Sequence, residues 1–298
     1  MWIFYGIISA LFLGVYDISK KAALNRNAVM PVLLISTLFG ALPWIPLVLI
    51  SRFQPEWLAA TPFFSPPMSP LEHGLIFIKS LIVSLSWVFV YFGMKHLPIS
   101  IAAPIRASAP LWTLMGAVTL MGEMPSLPQW AGLALTLGGY FILSLAGQRE
   151  GIVFHRNRWV GAMAVGTLLG AVSALYDKFL LHRYPTGMVQ PWFSFYLVVI
   201  LLPVVLLAWW PNRRNTTPFV WRPTLPLIGL SLGIADFLYF QALRDPEALI
   251  SILSAVRRSN VLISFGVGGL LFREQNRARK AVGLAIILAG VLIIVFAV

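Results

Sequence analysis

Residues 98–121 read PISIAAPIRASAPLWTLMGAVTLM, and residues 248–272 read ALISILSAVRRSNVLISFGVGGLLF. As helix, either stretch is long enough to cross a bilayer core of about 30 Å. Each carries guanidinium near mid-depth: Arg106 in the first, Arg257 and Arg258 at the corresponding level of the second. Arginine does not shed its proton in proteins. One placed at the bilayer centre costs about 2.5–3.5 kcal/mol on the insertion scale. A chain that keeps three of them there must supply carboxylates, water or an anionic ligand.

The rest of the chain agrees that the solvent is lipid. Of 298 residues, 59% are hydrophobic and only 11% charged, with a mean hydropathy of +0.84. Soluble domains carry about 25% charged residues. The expected fold is all-α and integral to the membrane, with ten transmembrane helices. These are residues 2–22, 31–51, 74–94, 98–121, 127–147, 159–181, 188–209, 223–243, 248–272 and 278–298. The runs are continuously apolar rather than alternating, which excludes a β-barrel. The first run lacks a basic leader, since Lys20 and Lys21 follow it, so it reads as a helix and not as a cleaved signal. The connection 52–73 is longer than the others and rich in Pro and aromatics. It is either a surface-lying segment or a Pro-stiffened connector.

The formal charge of +12 does not signal nucleic acid, because the basic residues sit in short loops between apolar runs. Fourteen of the 22 Lys and Arg residues, including Lys20, Lys21, Arg26, Arg213, Arg214 and Arg222, fall on the side of the first inter-helix loop. Arg52, Lys178, Arg183 and Arg244 fall on the other. The richer side is therefore expected to be cytoplasmic, in the inner (plasma) membrane, with both termini outside. There are no cysteines, the four histidines lack metal-ligand spacing, and no phosphate-binding Gly loop is present. Gly229–Gly233 fits the hydrolase pattern G-x-S-x-G, but inside an apolar helix it cannot form the required elbow. Its glycines, like Gly166 and Gly170, suit close helix approach. No enzyme activity, cofactor, metal or nucleic-acid partner is expected.

The two halves of the sequence, 1–150 and 151–298, repeat each other. Tyr16-Asp17 matches Tyr176-Asp177, Leu42-Pro43 matches Leu202-Pro203, and Tyr91 matches Tyr239. Arg106 matches Arg257, Glu123 matches Glu274, Gly132 matches Gly283, and Gly139 matches Gly290. Five helices per copy force the second copy to enter from the opposite face. The expectation is an inverted repeat with a pseudo-two-fold axis in the membrane plane, the design that gives two conformations open to opposite sides.

The segment ending Met121-Gly122-Glu123, followed by Gln129-Trp130-Ala131-Gly132, and the parallel Phe272-Arg273-Glu274 with Gly283 and Gly290, resemble the EamA-like branch of the drug/metabolite transporter superfamily. The resemblance spans essentially the whole chain. It implies a ten-helix bundle in which helices 1, 3 and 4 and their mates 6, 8 and 9 line a central cavity. Helices 5 and 10 then serve packing or homodimerisation. Many members of that family are drawn with termini inside, the reverse of the charge count. Arg106 with the pair Arg257-Arg258 also resembles the basic residues by which sugar-phosphate translocators hold phosphate on helices 4 and 9, where Tyr239 adds a hydroxyl.

Within the spans, Arg106, Arg257 and Arg258 are candidate substrate-binding residues, since planar guanidinium takes carboxylate or phosphate bidentately. The bland alternative is internal pairing with Asp17, Asp177 or Asp236. Arg258, about 100° around the helix from Arg257, is expected to reach a neighbouring helix, and Asp236 is either its counter-ion or the proton site. Trp87, Tyr91 and Trp112 are candidate cavity walls, or simple packing residues. Asp17, Asp177 and Asp236, with Tyr16 and Tyr176, are candidates for gating or proton coupling. The local alternative pairs Asp17 with Lys20 or Lys21, and Asp177 with Lys178 or Arg183. Lys79 either lines the cavity or snorkels outward, its place five residues into the segment favouring the second, and Glu123 and Glu274 cap helices or bond loops. The chain reads as a secondary transporter of a small carboxylate- or phosphate-bearing anion or zwitterion. An amino-acid or drug exporter with structural Arg residues, a lipid translocase and a non-transporting scaffold are the alternatives.

Overall fold

A computed structural model describes residues 1–97, 105–106, 108–145, 157–260, 262–263 and 277–297. Every regular element among them is helical: α1 (Trp2–Leu24), α2 (Val29–Ala41), α3 (Trp44–Phe53), α4 (Pro70–His96), α5 (Ala109–Met121), α6 (Leu127–Leu145), α7 (Arg158–Leu181), α8 (Thr186–Val204), α9 (Thr224–Leu243), α10 (Ile250–Arg258) and α11 (Arg277–Phe296). Six stretches are long and apolar enough to cross a membrane, with Val29–Phe53 and Thr186–Trp209 each counted as one. Large side chains such as Leu11, Leu49, Phe141 and Leu207 stand exposed on the outside of the bundle, as a lipid-facing surface requires.

The sequence sets where helices begin, break and end. Ser69 opens α4 with a reciprocal cap: the Ser69 N–H donates to Glu72 Oε2 (2.7 Å) and the Glu72 N–H to Ser69 Oγ (3.4 Å), with Pro70 in the first turn. Gly122 ends α5 in the left-handed region, φ +67°, which turns Glu123 back into the protein. The expected span 31–51 is one apolar stretch, Val29–Phe53, with a local break between α2 and α3 at Pro43. Its repeat mate, Pro203, lies just before a wide turn at Val205–Trp209. Proline has no N–H and its ring crowds the carbonyl four residues back, so both sites lose regular helix.

Helices pack in pairs: α1 on α9, α4 on α7, and α6 on α11. Glycines permit the closest approaches. A Cβ on Gly229 would lie 2.1 Å from the Ser36 carbonyl oxygen of α2, and one on Gly166 3.0 Å from that of Ser86. Between α6 and α11 the contacts cross over: Gly132 meets the Gly290 carbonyl, and Gly139 meets that of Gly283. The long connection is anchored rather than spread outward. Phe63 stacks on Phe237 of α9 at 4.9 Å, and Gly187 of α8 approaches the Phe64 and Pro62 carbonyls. At the opposite end Asn27 bonds both ways to the Val220 backbone (2.7 and 2.8 Å), and Arg222 donates to the Ala22 carbonyl (2.6 Å). The first loop and the α8–α9 loop therefore share one face.

The α6–α11 seam gives a direct check. Gly290→Ala puts a methyl 2.7 Å from the Gly132 carbonyl oxygen and is expected to cost about 1–3 kcal/mol. Gly138→Ala meets nothing within 4 Å and should leave thermal unfolding in detergent unchanged or slightly improved.

Candidate functional site

A cavity of about 220 Å³ lies between α1, α4, α5, α7, α9 and α10. Five cationic side chains, Lys20, Lys79, Arg106, Arg257 and Arg258, and three carboxylates, Asp17, Asp177 and Asp236, line it among the described residues. Tyr16, Trp87, Tyr91 and Tyr239 form much of the remaining wall. Trp112 does not; it stands 40% exposed on the outer surface, its indole N–H donating to Ser108 Oγ at 3.2 Å. Tyr176 also faces away, donating to the Leu75 carbonyl at 3.2 Å.

Arg257 is fixed from several sides. Its Nη2 donates to Asp236 Oδ1, its Nε to Ser9 Oγ (3.0 Å), and the guanidinium lies over the Tyr239 ring at 4.0 Å. Ser9 in turn donates to the Ala235 carbonyl at 2.7 Å, so α1, α9 and α10 share one network. This corrects the expectation that Asp236 serves Arg258. The carboxylate takes the neighbouring guanidinium, because α9 faces the Arg257 side of α10. Arg258 and Arg106 lie on the other side of the cavity floor, where both act electrostatically on Asp17.

Asp17 ties together a second group. It accepts from Lys20 Nζ at 3.1 Å and from Asn260 Nδ2 at 2.7 Å. The Lys20 ammonium sits 4.2 Å from the Tyr16 ring centroid and 5.5 Å from that of Tyr91, whose hydroxyls are 3.3 Å apart. Lys20, counted by sequence among the loop cations, is buried in the cavity wall.

Lys79 is the clearest departure from the sequence reading. It is 1% exposed, does not snorkel, and bonds Asp177. The reason is depth: α4 starts at Pro70, four residues before the apolar run was taken to begin, so Lys79 lies about 13 Å in at 1.5 Å per residue. A lysine stem cannot span that distance to the interface. Two rings complete its surroundings, with the ammonium 4.0 Å from the Phe193 centroid and 4.9 Å from that of Phe240. Asp177 therefore does not pair with Lys178 or Arg183. Lys178 points about a quarter-turn away, and its Nζ donates to Glu123 Oε1 (2.5 Å) and the Ala248 carbonyl (3.0 Å).

Glu123 ties the end of α5 to α7 and α10. Besides Lys178, its carboxylate accepts from the Ile250 N–H (2.7 Å), the Ser251 N–H (3.1 Å) and Ser251 Oγ (2.6 Å). It thus caps α10 from the end of α5, using both the orphan amides and the positive end of the helix. Apolar residues of the same region are fully buried: Leu243, Ala248, Ile250, Ile252 and Leu253 are all 0% exposed. Glu274, its sequence mate, lies outside the described residues, as do Arg149, Arg156 and the Phe272-Arg273 motif.

The first half of the chain matches the EamA-like transporter family. The match covers residues 1–145. An uncharacterized transporter of Synechocystis sp. is 26% identical over 151 residues, covering 49% of this chain and 41% of that protein. The match thus spans less than half the length of that curated relative. A WAT1-related protein of Arabidopsis thaliana is 26% identical over 256 residues, covering 80% and 71% respectively. A solved crystal structure shares the fold, with a TM-score of 0.71 at 17% identity over 98% of this chain and 95% of its own. The EamA-like half supplies Asp17, Lys20, Lys79 and Arg106 to the cavity. The remainder supplies Asp177, Asp236, Arg257 and Arg258, and the Lys79–Asp177 ion pair joins the two.

Sequence alone had missed Ser9, Asn260 and the Phe193–Phe240 box; Lys79 was weighed for the cavity but set outward, and the pairing of Asp17 with Lys20 is observed. Lys79 was legible in principle from the Ser69–Glu72 capping signature, which places the helix start earlier. Removing the Glu123 carboxylate strands Lys178 and two backbone amides. Glu123→Ala should therefore lower stability by about 3–5 kcal/mol, the usual cost of breaking a buried ion pair. Thermal unfolding of the purified protein measures it, with a near-neutral Glu123→Ala as the contrary result.

Proposed function

We propose that this chain is a secondary active transporter. It carries a small organic anion or zwitterion, bearing carboxylate or phosphate, by alternating access through the cavity between its two halves. The observation that carries the reading is the cavity itself: five cationic groups against three carboxylates, deep in a bundle whose outer face is apolar. Buried charge at this depth is costly to keep and marks substrate or ion pathways. An anion is the ligand that such an excess of positive charge attracts.

The reading includes an inverted repeat of ten spans, the arrangement that alternating access uses. Exchanging the halves turns the α1–α9 pairing into the α4–α7 pairing, and it turns the Gly132–Gly290 contact into the Gly139–Gly283 contact. A pseudo-two-fold axis predicts that crossing pattern. In the same reading the Glu123 end is the closed, outer gate. The cavity then extends toward the basic loops on the cytoplasmic side of the inner membrane, with both termini outside. The cyanobacterial relative is itself described as a transporter, which agrees with transport in general.

The Arg257–Asp236 pair favours a second reading, an amino-acid or drug exporter in which arginine is structural. Thermal-shift screening separates the two. Phosphoenolpyruvate, L-lactate and sulfate should stabilise the protein, while choline should not. In proteoliposomes, Arg106→Ala and Arg257→Ala should abolish uptake of the stabilising anion while the protein remains folded. Full transport by both variants would assign the arginines to structure.

A further inference from the structure

We infer that the Lys79–Asp177 pair is the proton-coupling site, at which a proton and an organic monoanion bind together and leave together. The inference rests on the anion-carrying reading above and adds the driving ion. Lys79 comes from the EamA-like half and Asp177 from the other, and both line the cavity. The ammonium is held by the Asp177 carboxylate and by the faces of Phe193 and Phe240, with almost no exposure.

That enclosure fixes the charge bookkeeping. A proton added to Asp177 alone strips a desolvated ammonium of its counter-charge. An anion added alone sets two negative charges beside one positive. Each half-step is unfavourable in a low-dielectric wall. Together they conserve charge: the proton moves from water to the Asp177 carboxylate, and the anion takes its place beside Lys79. Release reverses both transfers, so one cycle moves a proton and a monoanion with no net charge.

The other groups facing Asp177 keep their own partners. Asp236 holds Arg257, whose guanidinium covers the Tyr239 ring. On α7 itself Lys178 is taken by Glu123, and Tyr176 by the Leu75 carbonyl. The one titratable side chain of α8, Tyr196, hydrogen-bonds His73 at 2.7 Å, and α5 has none.

The test is proton uptake by the purified full-length protein in weakly buffered detergent, followed with a pH-indicator dye. L-lactate and sulfate serve as probes, since neither titrates between about pH 5 and 8. The wild type should take up about one proton per lactate bound, and lactate affinity should fall about tenfold per pH unit in the range where Asp177 titrates. The charge-neutral double variant Lys79→Met/Asp177→Asn avoids leaving a lone buried charge. It should take up no proton, and any residual lactate binding should be independent of pH. Lactate binding without proton uptake in the wild type overturns the coupling and leaves the anion reading intact. Undiminished uptake in the double variant assigns the proton to another carboxylate and also overturns it. Failure of every anion to bind removes both readings.

Discussion

Charge held inside a low-dielectric slab must be matched locally, and this single constraint organises the whole structure. Water is not present to share the field of an ammonium or guanidinium, so each cation must be answered by a carboxylate, an aromatic face or a solvated hollow. Asp17 answers Lys20, Asp177 answers Lys79, and Asp236 answers Arg257. Two of those pairings join different helices, and Lys79–Asp177 joins the two halves of the chain. The helices that line the cavity are thus the helices that its charges hold in register.

A second constraint acts at the ends of helices. α10 begins inside the protein, where its first amides have no water. Glu123 satisfies them from the end of α5 and neutralises Lys178 in the same stroke. Gly122 makes this geometry available by turning the chain through the left-handed region. Motif, turn and cap are consecutive consequences of three residues, Met121-Gly122-Glu123.

Much of this was legible in the sequence. Apolar run length gave the helical membrane fold, and the match between Arg106 and Arg257 pointed to the level at which the cavity lies. What sequence could not give was pairing. Asp236 was assigned to Arg258 because one helix position differs from the next by about 100°, and nothing in a lone sequence says which of the two faces α9. Lys79 was sent outward because the helix start was placed at the apolar run rather than at the Ser69 cap. Trp112 was drawn into the cavity by residue type alone, though its face of α5 points to lipid. Such errors share one physical origin: periodicity fixes which residues share a face, while the tertiary contact decides what that face meets.

The central claim is that cations deep in the bundle border a chamber that water reaches. Because the chain has no cysteine, Ser254→Cys, in the cavity wall beside Arg257 and Arg258, provides a single label site. Sealed vesicles of known orientation would be exposed to a membrane-impermeant maleimide, with and without the anion that stabilises the protein. The account predicts labelling from the basic-loop face and protection by that anion. A thiol that reacts from neither face, in protein shown to be folded, would contradict it.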